Sequence, residues 1–182
     1  MKNQDYLYLD HAASTPMRRS ALEKYVEAES FGFANSAGGH KLSRNSKNLL
    51  EDSREKIAGL LNAAPGEIIF TSGGTEADNW TIKSLFESKR PDDNLVTSNI
   101  EHEAVLASAE WVSLNGYQTK YAKSDENGFV SKDEFLNQID DNTKVASLMW
   151  GNNETGVIQP VKDVSREIKS INTSGFLKFK ST

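Results

Sequence analysis

The chain has 182 residues, 37% of them hydrophobic and 26% charged, with a formal net charge of −5 and no cysteine. That balance suits one ordinary globular domain, or the larger part of one, and excludes an intrinsically disordered chain. An acidic chain without a basic cluster argues against a nucleic acid or an anionic membrane as partner, and zero cysteines exclude disulfides, thiolate metal sites and a cysteine nucleophile within these residues.

No run is apolar enough for a membrane span and none reads as a secretory signal, so the expected location is cytoplasmic. Pro16 precedes a predicted helix of roughly three turns that ends near residue 30. A longer amphipathic helix is expected over 43–62, where Leu49, Leu50, Ile57, Leu60 and Leu61 recur at helical spacing and predict a buried stripe. Between the two, residues 31–42 contain Gly32, Gly38 and Gly39 and read as a loop. From residue 67 onward, short β-rich runs at 68–71, 95–98, 118–122 and 144–150 alternate with helical runs at 75–88, 102–115, 131–139 and 161–171. Ser131 and Glu134 have the spacing of a capping box, and Asn127-Gly128 reads as the turn before it. This alternation predicts an α/β fold, a mostly parallel sheet with helices on both faces. Residues 1–65 form its amino-terminal segment and helices, and 66–182 part of a large α/β domain.

Thr71-Ser72-Gly73-Gly74-Thr75-Glu76-Ala77-Asp78-Asn79 lies between an expected strand and an expected helix. Two glycines let backbone amides approach an anion, Ser72 and Thr75 add hydroxyl donors, and the helix start adds free N–H groups and the positive end of its dipole. By itself such a turn is more often just a tight connection. His102 falls at a strand-to-helix junction, at the carboxyl-end crevice where open α/β sheets hold ligands, although a lone histidine there is more often a cap or merely a polar residue. Asn153 follows the last expected strand; its amide can donate and accept, whereas the preceding Asn152 reads as a turn former.

Four segments together resemble one family: Tyr8-Leu9-Asp10-His11-Ala12-Ala13-Ser14-Thr15-Pro16, the Thr71 to Asn79 stretch, Thr97-Ser98-Asn99-Ile100-Glu101-His102-Glu103-Ala104-Val105-Leu106, and Asn152-Asn153-Glu154-Thr155-Gly156. They are similar to the cysteine desulfurases (NifS/IscS-like) of the class V aminotransferase group, in register over nearly the whole chain. The resemblance implies a three-layer α/β/α fold, the large domain of a fold-type I pyridoxal-phosphate transferase, with an incomplete sheet. It implies pyridoxal 5'-phosphate as cofactor, Gly74 and Thr75 on its phosphate, His102 stacked on its ring and moving protons, and Asn153 on its ring oxygen or a substrate carboxylate. No metal is implied. L-cysteine is the implied substrate, a homodimer the implied assembly of the complete enzyme, and a sulfur-acceptor or scaffold protein a further partner. His11, Ala12 and Ala13 match a substrate-side segment, as does the loop 35–40, although Ser36 stands where the family has proline and Ser43 where it often has glycine. Gly39-His40-Lys41 imitates the family's cofactor-lysine sequence but precedes the phosphate loop, so Lys41 reads as a loop lysine.

In the family a ring-nitrogen aspartate, the cofactor lysine and a sulfur-carrying cysteine follow further along. Here Phe176-Leu177-Lys178-Phe179-Lys180 begins a strand in which two lysines sit where a central strand rarely accepts them. The expectation is therefore a truncated chain that is inactive by itself. Two other readings are kept: another class V enzyme, such as a selenocysteine lyase or an aminotransferase, and a noncatalytic module that binds a phosphate ligand in the 72–75 turn.

Overall fold

The computed structural model describes residues 7–86 and 90–173. The chain falls into two compact units that divide between Phe70 and Thr71.

In the first unit, α1 (Arg19–Phe31) and α2 (Lys41–Leu61) are followed by a single 3₁₀ turn, Pro65–Glu67. His40 caps α2, its Nδ1 accepting from the Ser43 amide at 3.3 Å, and Asn62 ends the helix in the left-handed conformation with φ 53°. Gly38 has to be glycine because a Cβ there would lie 2.3 Å from the Ser43 hydroxyl, where the loop folds onto the start of α2. The expected leucine stripe of α2 is not buried within this unit. Leu50, Leu60 and Leu61 are exposed, and the helix buries only Ser43, Ser46 and Ala58. α1 buries none of its residues, so it gives α2 little cover, and an open cavity of about 440 Å³ remains beside Gly32, Ser46, Leu49 and Phe70. Lys41 is the first residue of α2 rather than part of the loop.

Residues 68–70, expected as a strand, form none. A strand requires a neighbour to satisfy its amides and carbonyls. This run instead bonds locally: the Ile68 amide donates to the Pro65 carbonyl, and the Arg54 guanidinium donates to the Ile68 carbonyl and lies 4.9 Å from the centre of the Phe70 ring.

The second unit contains the predicted α/β alternation: α3 (Gly74–Leu85), β1 (Asn94–Ser98), α4 (Glu103–Leu114), β2 (Gln118–Ala122), α5 (Lys132–Leu136), β3 (Thr143–Ala146) and α6 (Val161–Thr173). The sheet order is β2-β1-β3 and both pairings are parallel, as expected where helices return the chain. β1 is central and wholly buried, and its alternating residues separate two cores. Leu95 packs with Ile82, Phe86, Val105, Ala109, Val112 and Val145 under α3 and α4. Val96 packs with Ala122, Val130, Phe135 and Val164 under α5 and α6. These are the three layers of an α/β/α fold.

Two details differ from the sequence reading. β3 stops at Ala146 rather than 150; after the Ser147 amide donates to the Val96 carbonyl at 2.9 Å, the chain leaves the ladder, and Gly151 and Ile158 form a lone antiparallel bridge. The capping box at α5 is half made. The Ser131 hydroxyl accepts from the Glu134 amide at 3.1 Å, but the Glu134 carboxylate accepts from the Lys123 amide at 3.0 Å, tying α5 to the end of β2. The expected turn is present, with Gly128 at φ 78°. The run expected as a strand from residue 176 lies outside the described residues.

At the amino ends of the strands, a polar knot sets the register. Asn94 Nδ2 donates to Asp140 Oδ1 at 2.8 Å, the Thr143 hydroxyl donates to Asn94 Oδ1 at 3.0 Å, and Lys120 pairs with Asp140 Oδ2. Partial burial pushes the Asp140 carboxyl up, but the bonds from Lys120, Asn94 and the Asn142 amide, with the Lys120 charge, outweigh it and hold it at about 2.

Candidate cofactor site

Parallel neighbours end at the same edge of a sheet, so the loop after β1, which carries His102, and the loop after β3, which carries Asn153, both leave at the carboxyl edge. α3 precedes β1, packs on α4 and runs back toward the amino edge, which sets its first turn at the carboxyl edge too. The charge of Asp78 on α3 reaches Glu101 in the β1 loop. Gly74, Thr75, His102 and Asn153 therefore converge on one edge of the second unit.

The turn into α3 is built from its own polar groups. The Thr71 hydroxyl donates to the Gly73 carbonyl at 3.1 Å, and the Ala77 amide closes the first helical turn on that same carbonyl. The amides of Gly74, Thr75 and Glu76 head the helix and have no intrahelical acceptor. The Glu76 carboxylate already accepts from the Ser72 amide at 2.6 Å; bonds from the Ser72 hydroxyl and that amide hold its pKa below the ordinary value. The turn before α3 thus already holds an anion, this chain's own carboxylate. Among the described residues, a Cβ added at Gly73 or Gly74 would meet no atom beyond its chain neighbours and the helix's own backbone within 4 Å, so packing does not account for the two glycines and the space beside them is open.

His102 is the N-cap of α4. Its Nδ1 accepts from the Ala104 amide at 3.1 Å, which leaves the proton of the neutral ring on Nε2, and the side chain is exposed. Glu101, beside it, is buried. Its Oε1 accepts from the Ser98 hydroxyl at 2.9 Å and from the Met149 amide at 2.7 Å, and burial raises its pKa against both bonds, with a further push from Asp78. Asn152 is a structural residue: its Oδ1 accepts from the amides of Glu154 and Thr155, both at 2.9 Å, and its Nδ2 donates to the Ile100 carbonyl at 3.1 Å. That turn closes at Gly156, whose φ of 75° favours glycine and whose amide donates to the Asn152 carbonyl at 2.9 Å. Asn153, at the head of the turn, is exposed, and its side-chain amide has no hydrogen-bond partner among the described residues. The base of the loop is held by buried Gln159, which accepts from the Val130 amide and donates to the Gly128 carbonyl, both at 2.9 Å.

The residues therefore fit a ligand carrying a phosphate and a flat ring. Open amides at a helix start suit the phosphate, an exposed imidazole suits the ring face, and a free carboxamide suits a ring substituent. Glu101 and Gln159 were not anticipated from sequence, because each acts through contacts to distant backbone; only the adjacency of Glu101 to His102 hinted at it. Tyr8, His11 and the loop 35–40 belong to the first unit, where Tyr8 meets His11 edge-on at 4.9 Å and Asn35 Oδ1 accepts from the Ala37 amide at 3.0 Å. Among the described residues, no cluster of His, Asp or Glu could hold a metal ion, and no helix is long and apolar enough to cross a membrane.

A parallel sheet between two helix layers, with a glycine-headed helix, a histidine and an asparagine at its carboxyl edge, defines an α/β protein of the open-sheet, ligand-binding kind. The sequence profile of the Aminotransferase class-V family matches residues 7–176. The chain belongs to that family. It is 38% identical over 164 residues to cysteine desulfurase IscS of Methanosarcina thermophila, a match covering 90% of this chain and 41% of that protein. Among solved structures, a NifS-like protein superposes with a TM-score of 0.85 at 34% identity, covering 90% of this chain and 45% of that one. SspA in complex with cysteine gives 0.84 at 32% identity, covering 91% and 48%. The chain thus spans less than half the length of these relatives.

Proposed function

We propose that this chain forms part of the pyridoxal 5'-phosphate site of a cysteine desulfurase, an enzyme that removes sulfur from L-cysteine and leaves alanine. The observation that carries the reading is the convergence of Gly74, Thr75, His102 and Asn153 on one sheet edge in a chain similar to IscS. The amides and hydroxyl at Gly74 and Thr75 hold the phosphate, His102 stacks on the ring and presents Nε2–H for proton movement, and Asn153 bonds the ring oxygen or a substrate carboxylate. Once bound, the cofactor supplies the electron sink that lets a bond at the substrate's α-carbon break. Sulfur then passes to an enzyme cysteine; this chain has none, so by itself it is expected to release no sulfide from cysteine above a no-protein control. Cytoplasmic location, a homodimer in the complete enzyme and a sulfur-acceptor or scaffold partner belong to the same proposal.

The test is a binding titration followed by cofactor absorbance and Trp fluorescence. The chain should bind pyridoxal phosphate, bind pyridoxal without its phosphate far more weakly, and lose about tenfold or more in affinity on Thr75→Leu. No binding, or equal binding of the two forms, would overturn the assignment. Equal preference for unrelated phosphate esters would favour a noncatalytic phosphate-binding module. A selenocysteine lyase or class V aminotransferase shares the cofactor site and would be separated from a desulfurase by substrate.

A further inference from the structure

We infer that Glu101 is a positioning residue that holds the His102 loop and the Asn153 loop in one fixed arrangement. The inference rests on the cofactor reading above for its purpose and on geometry for its existence. Residues 98–102 leave β1, and residues 147–153 leave β3, with no ladder between them beyond the Ser147 bond. Two side chains cross that gap. Glu101 Oε1 takes the Ser98 hydroxyl at 2.9 Å, at the end of β1, and the Met149 amide at 2.7 Å on the other loop. Asn152 Nδ2 returns the connection to the Ile100 carbonyl at 3.1 Å.

Each crossing flanks a site residue: Glu101 and Ile100 lie just before His102, and Asn152 just before Asn153. A carboxyl buried in this way costs free energy unless its bonds are needed, and Oε1 accepts both bonds whether or not the group is ionised. What the position demands is an acceptor oxygen at the full reach of a glutamate side chain. A satisfied two-point crossing sets the spacing of ring-facing and substituent-facing groups before any ligand arrives.

The expected signature separates reach from charge. Glu101→Gln keeps the acceptor at the same reach; Glu101→Asp keeps the charge but withdraws it by about 1.5 Å, one carbon–carbon bond. Both are made in the full 182-residue chain and read by backbone-amide hydrogen exchange at Met149 and by pyridoxal-phosphate affinity. The Gln variant should stay within about threefold of the parent in both, while the Asp variant should lose about tenfold in Met149 protection and in affinity. Unchanged Met149 protection in the Asp variant, or a Gln variant as impaired as the Asp one, overturns the inference. If the parent chain binds no cofactor while Met149 exchange still follows the expected order, the brace stands and the cofactor reading falls.

Discussion

At the scale of single residues, the two perturbed carboxyls at opposite ends of β1 behave in opposite senses. Glu101, buried at the carboxyl end, is raised; Asp140, at the amino end, is held at about 2 by Lys120 and Asn94 despite partial burial. A depressed folded-state pKa contributes stability above the unfolded value and loses it as pH falls through the folded one. Asp140→Asn should therefore cost stability at pH 7, and the gap to the parent should shrink from pH 3.8 down toward 2. The Asp140 side chain is about half exposed, so solvent screening limits the cost to about 1 kcal/mol or less. Thermal melts across that range check the sign, and a gap that stays constant with pH refutes it. The same scale explains what sequence could disclose. His102 and Asn153 stood out because motif and junction marked them, but Glu101 carried no sign of its partner, because the amide it accepts from is 48 positions away.

The elements of the second unit were legible because apolar runs of strand length alternate with runs of helix length, and β2 is the run 118–122 that the sequence predicts. Legibility fails where an element depends on a neighbour. Residues 68–70 have strand composition but no ladder, and 147–150 leave the ladder when β1 turns away at Ser98. What replaces the lost end of β3 is a loop hung on Gln159, which is 3% exposed and satisfies one amide and one carbonyl of the 125–130 turn. Gln159→Leu would leave the buried Val130 amide without a partner and take the donor from the half-buried Gly128 carbonyl. It should destabilise the second unit by about 2–4 kcal/mol in urea denaturation, and a loss within about 0.5 kcal/mol would show that the bonds are dispensable.

Across the whole molecule, burial is uneven. Among the described residues, thirteen of the fourteen buried hydrophobic ones lie after Phe70, and the first unit contributes only Ala58. Opening free energy follows apolar burial and shielded hydrogen bonds. Native-state hydrogen exchange should therefore find Leu95 to Thr97 in β1 among the slowest amides and α1 among the fastest, by about two orders of magnitude or more. Equal protection in α1 and β1 would show that α1 is covered in solution. Here too the sequence misled for a physical reason: the leucine spacing of α2 predicts a buried face, but spacing says only that a face is apolar. It does not say which part of a molecule covers it, and Leu60 and Leu61 remain exposed.

The capping bond from the Ala104 amide to His102 has a consequence for selectivity in time. An exposed imidazole ordinarily samples several rotamers, and each must be abandoned when a ligand arrives. Here the ring's torsions are fixed by the closure of α4 itself, so the entropy of orienting it is lost when the helix forms rather than when a ligand is captured. In the cofactor role proposed for His102, the imidazole is thereby oriented on folding, before a ligand arrives.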